Sequence, residues 1–353
     1  MKPAARAPRT IAVFCPNLIG DAVMATPAIR ALRGRFPAAR IIGVIKPKVA
    51  PTLAGAPWFD GWVYFDPRDR SLEHDAGFWS ARRALRAARP DVAVLLPNSH
   101  RSAVLALFAA IPRRVGFTRP GRGLLLTDRL EPPRDARGKR LPTPITTSYV
   151  DLVEVLGCRA DSLRPELFTT SDDEADADRA WSNLGLDRDE KVVCLNTGGA
   201  FGPSKNWPVE HFANLARRLV DERGRAVLVV CGPGEAESAR RIASLANDRR
   251  IVSLADERMS IGLTKACIKR AELLVTTDSG PRHFATAFRV PVVTLFGPTF
   301  VAWTRTQHPR AIHVMHPVPC GPCQKPVCPL GHQRCMTDLR PDDVFAAASR
   351  LLG

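Results

Sequence analysis

A chain of 353 residues is long enough for two or three domains. Hydrophobic residues make up 45% and charged residues 24% of the chain, an ordinary balance for a folded protein that excludes wholesale disorder. No window of about 18 uninterrupted apolar residues occurs, so the sequence predicts no membrane-spanning helix. The apolar run at residues 11–15 follows a basic start and is too short for a signal peptide, so we expect a cytoplasmic protein.

The net charge of +16 is unevenly distributed along the chain. Residues 1–170 hold 27 Lys and Arg against 14 Asp and Glu, whereas residues 171–353 hold 24 against 21. The positive electrostatic field of the first half would attract a polyanion: nucleic acid, an anionic membrane face or an anionic glycolipid. The alternative is that the excess of Arg only forms a solvated surface and has no such partner. We expect no nucleic-acid partner, because the chain lacks a basic recognition helix and has only two Tyr for stacking surfaces.

Taken in chain order, apolar runs alternate with helical patterns in both halves of the sequence. In the first half, strands are predicted at 11–15, 40–45, 62–65 and 92–96, and helices at 22–36, 78–89 and 101–110. Residues 131–145 are Pro-rich and basic and predict a loop. In the second half, a helix starts at 171–174, strands follow at 192–195, 226–231, 251–254, 273–276 and 292–296, and further helices lie near 208–222, 235–246, 260–270 and 281–288.

This alternation predicts parallel sheets with right-handed crossovers. We expect an α/β protein of two Rossmann-like, doubly wound domains, 1–170 and 171–353, with an interdomain cleft. The last helix of the chain could pack back on the N-terminal domain.

Asp21 follows the first predicted strand, at the edge where open α/β sheets bind their ligands. Gly20 before it allows a close backbone approach. The carboxylate of Asp21 has two interpretations that the spacing does not separate. It either caps the N-terminus of the next helix or serves as a general base at the cleft.

Two loops of the second half carry glycines and polar groups after a predicted strand. The loop at 196–208 contains Thr197, several glycines and Lys205, which together could face an anion, although the ending differs from a P-loop. An ordinary loop with a surface lysine is the alternative. In the other loop, Glu235 follows Gly232-Pro233-Gly234 and could either bind ribose hydroxyls or favour the positive end of the next helix.

The segment 276–283 is the most informative of the second half, because it ends a strand and begins a helix with Pro281 near the first helical position. Free N–H groups at such a helix start can hold a diphosphate. The carboxylate of Asp278 would repel an anion bound beside it, so its presence at this position requires an explanation. Asp278 could accept hydrogen bonds from loop N–H groups and so fix the loop. A histidine at such a position more often packs in the protein interior than binds a ligand directly, and we expect the same of His283.

Nine cysteines are present, and four of them cluster as Cys320-x2-Cys323-x4-Cys328-x6-Cys335. These four thiols could bind one structural zinc ion, with His332 as a spare ligand, but the x4 and x6 spacings differ from common zinc ribbons. Free thiols that shape a loop, or a disulfide, are the alternatives, and a reducing cytoplasm disfavours the disulfide.

Four stretches in order along nearly the whole chain resemble glycosyltransferase family 9, the ADP-heptose:lipopolysaccharide heptosyltransferases. They are residues 16–28 (Pro-Asn-Leu-Ile-Gly-Asp-Ala-Val-Met-Ala-Thr-Pro-Ala), 205–212 (Lys-Asn-Trp-Pro-Val-Glu-His-Phe), 278–280 (Asp-Ser-Gly) and 295–299 (Leu-Phe-Gly-Pro-Thr). The cysteine segment 320–336 resembles the heptosyltransferase II branch of that family.

The resemblance implies a GT-B fold and an inverting glycosyltransferase that needs neither a metal for chemistry nor a cofactor. It implies ADP-heptose as donor and the lipid A-Kdo-heptose inner core of lipopolysaccharide as acceptor, with transfer of the second heptose. It also implies a peripheral position on the inner face of the cytoplasmic membrane, where the basic loop 131–145 would suit the acceptor. A related transferase or an epimerase that uses another nucleotide sugar is the alternative.

Carried over position by position, the resemblance makes Asp21 the candidate base and assigns no acceptor-binding residue. The donor-binding candidates are Thr197, Lys205, Glu235, Asp278, Ser279 and Gly280. The chain departs from the family pattern at Pro281 and Arg282. Pro281 removes one N–H donor, and the Arg282 side chain could replace it with a positive charge.

Overall fold

The computed structural model describes residues 7–66, 68, 75–138, 141–187, 190–199 and 201–353. The chain divides into two units: one comprises Met1–Pro165 and Ala302–Thr306, and the other comprises Glu166–Val301 and Gln307–Gly353. The expected boundaries, 1–170 and 171–353, differ from these by a few residues at the linker and by the segment 302–306. No helix in the described ranges is long and apolar enough to cross a membrane.

The first unit contains a parallel sheet of six strands with the order β3-β2-β1-β4-β5-β6. The strands are β1 Thr10–Phe14, β2 Arg40–Ile45, β3 Gly61–Tyr64, β4 Val92–Leu95, β5 Arg113–Phe117 and β6 Asp128–Leu130. The helices are α1 Ile19–Met24, α2 Thr26–Arg35, α3 Ala50–Leu53, α4 Phe78–Ala88, α5 His100–Phe108 and α6 Ile145–Glu154.

The second unit contains a second parallel six-stranded sheet with the order β12-β11-β10-β7-β8-β9. The strands are β7 Val192–Asn196, β8 Ala226–Val230, β9 Ile251–Ser253, β10 Leu273–Thr277, β11 Val292–Phe296 and β12 Ala311–Met315. The helices are α7 Ser171–Asn183, α8 Val209–Arg223, α9 Ala236–Ala246, α10 Ile261–Arg270, α11 Gly280–Phe288, α12 Val301–Thr304, α13 Arg334–Thr337 and α14 Pro341–Leu352, with α12 spanning the division between the units.

Both sheets have the strand order of a Rossmann fold when each is numbered from its own first strand, so the predicted α/β class is confirmed. The central strands are continuous apolar runs, such as Ala-Val-Leu-Val-Val in β8, because helices cover both faces. In such sheets the strand order reverses at one point, which lies between β1 and β4 in the first unit and between β7 and β10 in the second. In open α/β sheets generally, ligands bind in the crevice next to the loops that follow the strands at such a reversal.

Three strands were not predicted from the sequence: β5, β6 and β12. β5 begins with Arg113 and Arg114, and the edge strands β6 and β12 have no fully buried residue. Edge strands are covered less completely, so they need no continuous apolar run and leave a weaker pattern. The predicted helix at 22–36 is instead two helices, α1 and α2, which meet at Ala25.

The last helix of the chain, α14, packs on elements of the second unit. α14 packs on α8 and on β11, and the indole N–H of Trp207 donates to the carbonyl of Leu339 at 2.8 Å, just before α14 begins. These contacts place α14 in the second unit and anchor the loop that carries Lys205.

Candidate functional site

A network of charged groups lies where β10 ends in the second unit, with the buried carboxylate of Asp278 at its centre. The Lys205 ammonium donates to Oδ2 of Asp278 at 2.6 Å and to its carbonyl oxygen at 2.7 Å. Thr299 donates its hydroxyl to Oδ2 at 2.7 Å, and Arg282 donates from Nη1 to Oδ1 at 2.9 Å. One carboxylate therefore faces two cations, which leaves the network with a net positive charge.

The pKa of Asp278 reflects this balance. Burial alone would raise the pKa, but the positive charges of Lys205 and Arg282 and the donated hydrogen bonds lower it to about 2. The carboxylate of Asp278 is held by hydrogen bonds that it accepts from Lys205, Thr299 and Arg282. Arg282 is only 1% exposed, so its charge neutralises Asp278 inside the protein and is not a free substitute for the N–H that Pro281 removes.

Asn196, the last residue of β7, ties together the loops that follow β7 and β10. Its side-chain amide donates to the carbonyl of Gly198 at 3.1 Å, to Oγ1 of Thr276 at 3.0 Å and to Oγ of Ser279 at 2.9 Å. A Cβ on Gly199 would lie 2.8 Å from Cβ of Ser279, so glycine is needed for this approach. The two loops at the reversal of strand order are thus held in contact.

Ser279 and Gly280 lie at the N-terminus of α11. Ser279 has extended backbone angles and makes no side-chain capping bond, so its hydroxyl does not satisfy the N–H groups of the first turn. Helix N-termini with such donors and their positive end can bind an anion. Lys205 lies beside this terminus through its contact with Asp278.

Glu235 lies against the loop that follows β7. Its Oε2 accepts the N–H of Gly232 at 2.9 Å, which fixes the turn before α9. A Cβ on Gly198 would lie 2.2 Å from Cγ of Glu235, so the acidic side chain occupies the space over that glycine. The structure therefore brings Glu235 to the loop that contains Thr197.

Two buried polar atoms near the network lack a hydrogen-bond partner among the described residues: Oγ1 of Thr197 and Nδ1 of His283. Burial and the nearby Arg282 charge lower the pKa of His283 to about 3, so the ring is neutral near pH 7. A neutral buried ring is consistent with the packing role expected for His283. The hydroxyl of Thr197 is free to donate to a ligand.

Asn196 and Thr299 were not selected from the sequence, although both organise the network. Asn196 is a polar residue at the end of an apolar strand, and Thr299 ends the resembling stretch 295–299. These were the signals that could have identified them.

Asp21 lies in the first unit, in the first turn of α1, at the carboxyl end of β1. No hydrogen bond to its carboxylate from any residue in the described part of the chain is present, and Leu18 is the N-cap residue of α1. Burial raises the pKa of the carboxyl to about 6, and its charge adds to the burial that raises the pKa of Tyr149. The capping interpretation of Asp21 thus has no hydrogen bond to support it, whereas a base with this pKa would be ionised near pH 7.

The loop after β4, on the other side of the strand reversal from Asp21, is held by the buried side chain of Arg122. Its guanidinium donates to the carbonyls of Ser99 at 2.9 Å, Pro97 at 3.0 Å and Phe117. Within the described ranges, no carboxylate pairs with Arg122. Arg122 thus sets the shape of the loop after β4, which lies next to the loop of Asp21 because β1 and β4 are neighbours. The sequence pattern does not indicate this role for Arg122.

All nine cysteines are free thiols, and five of them are buried in the two units. The other four lie on the segment between β12 and α14 and line one cavity with His332. Sγ of Cys320 is 3.8 Å from Nε2 of His332. In the described part of the chain, no three His, Cys, Asp or Glu side chains already converge on a metal position.

A model of glycosyltransferase family 9 (heptosyltransferase) matches residues 78–333. Lipopolysaccharide heptosyltransferase 2 of Escherichia coli strain K12 is 28% identical, with 97% of this chain and 98% of that protein covered. The solved structure of E. coli ADP-heptose lps heptosyltransferase II aligns with a TM-score of 0.77 at 25% identity, covering 97% of this chain and 98% of the other.

A solved family 9 glycosyltransferase from Veillonella parvula DSM 2008 aligns with a TM-score of 0.81, covering 98% of this chain and 97% of the other, and at 22% identity this likeness shows the fold alone. The predicted GT-B class, with its two Rossmann-like units, is confirmed by these neighbours. Since the family model spans well over half of the sequence, the chain belongs to glycosyltransferase family 9, the heptosyltransferases.

Proposed function

We propose that this chain transfers heptose from ADP-heptose to the inner core of lipopolysaccharide, as the second heptose of that core, with inversion at the anomeric carbon. The observation that carries the proposal is the positively charged network around Asp278 at the strand reversal of the second sheet. The full-length similarity to lipopolysaccharide heptosyltransferase 2 of E. coli supports this choice of sugar and acceptor.

The donor diphosphate binds at the N-terminus of α11. The N–H groups around Ser279 and Gly280 donate to its oxygens, and Lys205 contributes a positive charge. Asp278 holds Lys205 in place without cancelling the field, because Arg282 supplies a second cation to the same carboxylate. Thr197 donates its unpaired hydroxyl to the donor, and Glu235 accepts from ribose hydroxyls.

Asp21 acts as the general base of the reaction. The acceptor hydroxyl attacks the anomeric carbon, its proton passes to the Asp21 carboxylate, and the bond from that carbon to the diphosphate oxygen breaks. ADP leaves with the electron pair of that bond. One displacement with one base inverts the configuration, by analogy with inverting hydrolysis.

Catalysis resides mainly in the stabilisation of charge on the leaving diphosphate. Negative charge develops on ADP in the transition state while the sugar gains oxocarbenium character. Donors that are already oriented toward the diphosphate stabilise that charge without reorganisation. The N–H groups of α11 and the ammonium of Lys205 stabilise the charge on the departing ADP, so this step needs neither a metal nor an organic cofactor.

The acceptor is a lipid-anchored anionic saccharide, so the enzyme works as a peripheral protein on the cytoplasmic face of the inner membrane. The excess of basic residues before residue 170 supports this partner. Arg134 and Arg137 of the loop 131–145 are exposed, whereas Lys139 and Arg140 lie outside the described residues.

The decisive experiment is turnover of ADP-heptose with two defined acceptors, Kdo-lipid A with and without the first heptose. We expect ADP release and a new heptose only on the acceptor that already carries heptose, and NMR coupling constants that show inversion. Equal use of both acceptors would contradict transfer of the second heptose. Turnover of another nucleotide sugar in place of ADP-heptose would assign the chain to a different family 9 activity.

A further inference from the structure

The segment that carries the four clustered cysteines has properties of a metal-binding loop beyond their spacing. Cys320, Cys323, Cys328 and Cys335 line a single cavity. Four thiols around one space are the donor set of a structural zinc site.

The tautomer of His332 indicates its role in this cavity. Its Nδ1 accepts the backbone N–H of Arg334 at 3.0 Å, so in the neutral ring Nε2 carries the proton. Nε2 lies 3.8 Å from Sγ of Cys320 and can donate that proton to the sulfur. His332 is therefore placed to orient a cysteine ligand and is not itself a ligand.

The same segment holds the loop that carries Lys205. Ser204 donates its hydroxyl to the carbonyl of Lys325 at 2.7 Å and its N–H to the carbonyl of Pro326 at 3.1 Å. The amide of Gln333 donates to the carbonyl of Pro203 at 2.5 Å. These three residues of the cysteine segment lie between the second and the fourth cysteine, so the fold of that segment fixes the position of the loop before Lys205.

The segment also holds the loop that carries Thr299. The N–H of Gln324 donates to the carbonyl of Pro298 at 2.8 Å. A Cβ on Gly297 would lie 2.5 Å from Sδ of Met336 and 3.1 Å from Sγ of Cys335, so that loop packs closely against the last cysteine. Lys205 and Thr299 both bind Asp278, and both of their loops rest on the cysteine segment.

We propose that Cys320, Cys323, Cys328 and Cys335 bind one structural Zn²⁺, and that this ion holds the Lys205 and Thr299 loops in register with Asp278. Each thiol loses its proton to solvent as it binds, and the ion adopts a tetrahedral site of four thiolates. Zinc has no redox chemistry, so the ion acts only on position. The proposed effect on the donor site rests on the proposed function, whereas the metal site itself does not.

The test begins with the metal content of the full chain, purified under reducing conditions without added metal. We expect about one zinc per chain by inductively coupled plasma mass spectrometry. Cys323→Ser and Cys335→Ser should lose the metal, whereas His332→Gln, which keeps a donor near Cys320, should retain it. Cys158→Ala, which removes a buried thiol of the first unit, is the control and should keep the full content.

Chelation of the folded wild-type protein avoids any variant that fails to fold. After zinc is removed and replaced by Co²⁺, we expect the visible absorption of a tetrahedral thiolate site. The Kd for ADP, measured by calorimetry, should rise by about ten- to a hundredfold in the metal-free protein and return when zinc is restored, because the donor groups lose their alignment.

The outcomes separate this proposal from the proposed function. Protein that contains no zinc and takes up no Co²⁺, with nine thiols that react with Ellman's reagent after denaturation, would overturn the metal site. Zinc binding with an unchanged Kd for ADP after its removal would overturn the positioning role. Zinc binding in a protein that binds no ADP in any state would instead contradict the proposed function.

Discussion

The ammonium of Lys205 lies 2.6 Å from the carboxylate of Asp278, which is 73 residues further along the chain. The two side chains are 12% and 7% exposed, so water screens this pair only weakly. Arg282 contacts the other oxygen of the same carboxylate. The lysine is thus held in one position before any ligand arrives, with the network still positively charged.

Lys205→Met removes this charge and keeps the length of the side chain. We expect the Kd for ADP to rise by about ten- to a hundredfold, because a hydrogen bond to a charged group contributes about 1.5–3 kcal/mol. Calorimetric titration with ADP measures the change. Lys191→Met, at a side chain that is 65% exposed near the start of β7, is the matched control and should bind ADP as wild type does. Equal affinities for all three proteins would remove Lys205 from the donor site.

Asp278→Asn removes the charge of the carboxylate that pairs with the buried guanidinium of Arg282 and with Lys205. Loss of one partner of a buried pair destabilises a protein by about 3–5 kcal/mol, so we expect a large fall in the free energy of unfolding at pH 7. The pKa of Asp278 is about 2 in the folded protein, below its ordinary value of 3.8. The ionised carboxylate therefore stabilises the fold above pH 4, and this contribution is lost as the pH falls toward 2.

Urea unfolding of wild type and Asp278→Asn at a series of pH values between 7 and 3 tests this prediction. The difference in free energy should be constant above about pH 5 and should shrink in the most acidic samples. A difference that stays constant down to pH 3 would show that the effect of the substitution does not depend on the charge of Asp278.

Asp21→Asn removes the proposed base while it preserves the shape of the side chain. We expect kcat to fall by about 10²–10⁴-fold, with the Kd for ADP unchanged, because a general base contributes a factor of that size. The wild-type rate should rise with pH through about 6 and then level off, since the carboxylate accepts a proton only when it is ionised. A variant that turns over at the wild-type rate would exclude Asp21 from proton transfer.

Asp21→Asn should lower the rate of the reaction but raise the stability of the fold at high pH. Because burial raises the pKa of Asp21 from 3.8 to about 6, the ionised carboxylate destabilises the fold above pH 6. Asp21→Asn should therefore be more stable than wild type at pH 8, by about 2 kcal/mol after allowance for partial exposure, and the gain should vanish below pH 4. A helix-capping carboxylate predicts a loss of stability instead, so thermal unfolding at pH 8 separates the two interpretations.

Gly198→Ala places a Cβ where the side chain of Glu235 now lies, at 2.2 Å from its Cγ. The carboxylate must move, and its bond to the N–H of Gly232 is then lost. We expect a loss of about 1 kcal/mol in stability, the typical effect of removing a cap, and weaker ADP binding. Gly234→Ala is the control, because its Cβ meets no atom within 4 Å and should change neither quantity. If the two variants bind ADP equally well, Glu235 has no part in donor binding.

The basic loop 131–145 is tested by replacing Arg134, Arg137, Lys139 and Arg140 with Gln together. Removal of four positive charges should weaken binding to the anionic acceptor and reduce the dependence of that binding on salt. Acceptor affinity measured at several salt concentrations, with ADP affinity as the internal control, checks this prediction. If acceptor affinity and its salt dependence were unchanged, the loop would not be the acceptor contact.

Much of the fold could be predicted from the sequence because buried parallel strands are apolar throughout. β1, β2, β4 and the central strands of the second sheet fall within a residue or two of the predicted runs. The capping box of Thr170 and Asp173 likewise begins α7 at the predicted position. The strand β5 was missed because it begins with two arginines, a pattern that does not distinguish it from a surface loop.

By itself, the sequence determined that two Rossmann-like α/β units follow one another and that the candidate residues lie in the loops after their strands. These features follow from local periodicity and from the identity of residues at strand ends. Only the tertiary structure decided that Arg282 neutralises Asp278 inside the protein, that burial raises the pKa of Asp21, and that Lys325 holds Ser204 from 121 residues away. Such contacts depend on how distant segments pack, and no local pattern encodes the desolvation or the charge that a side chain meets there.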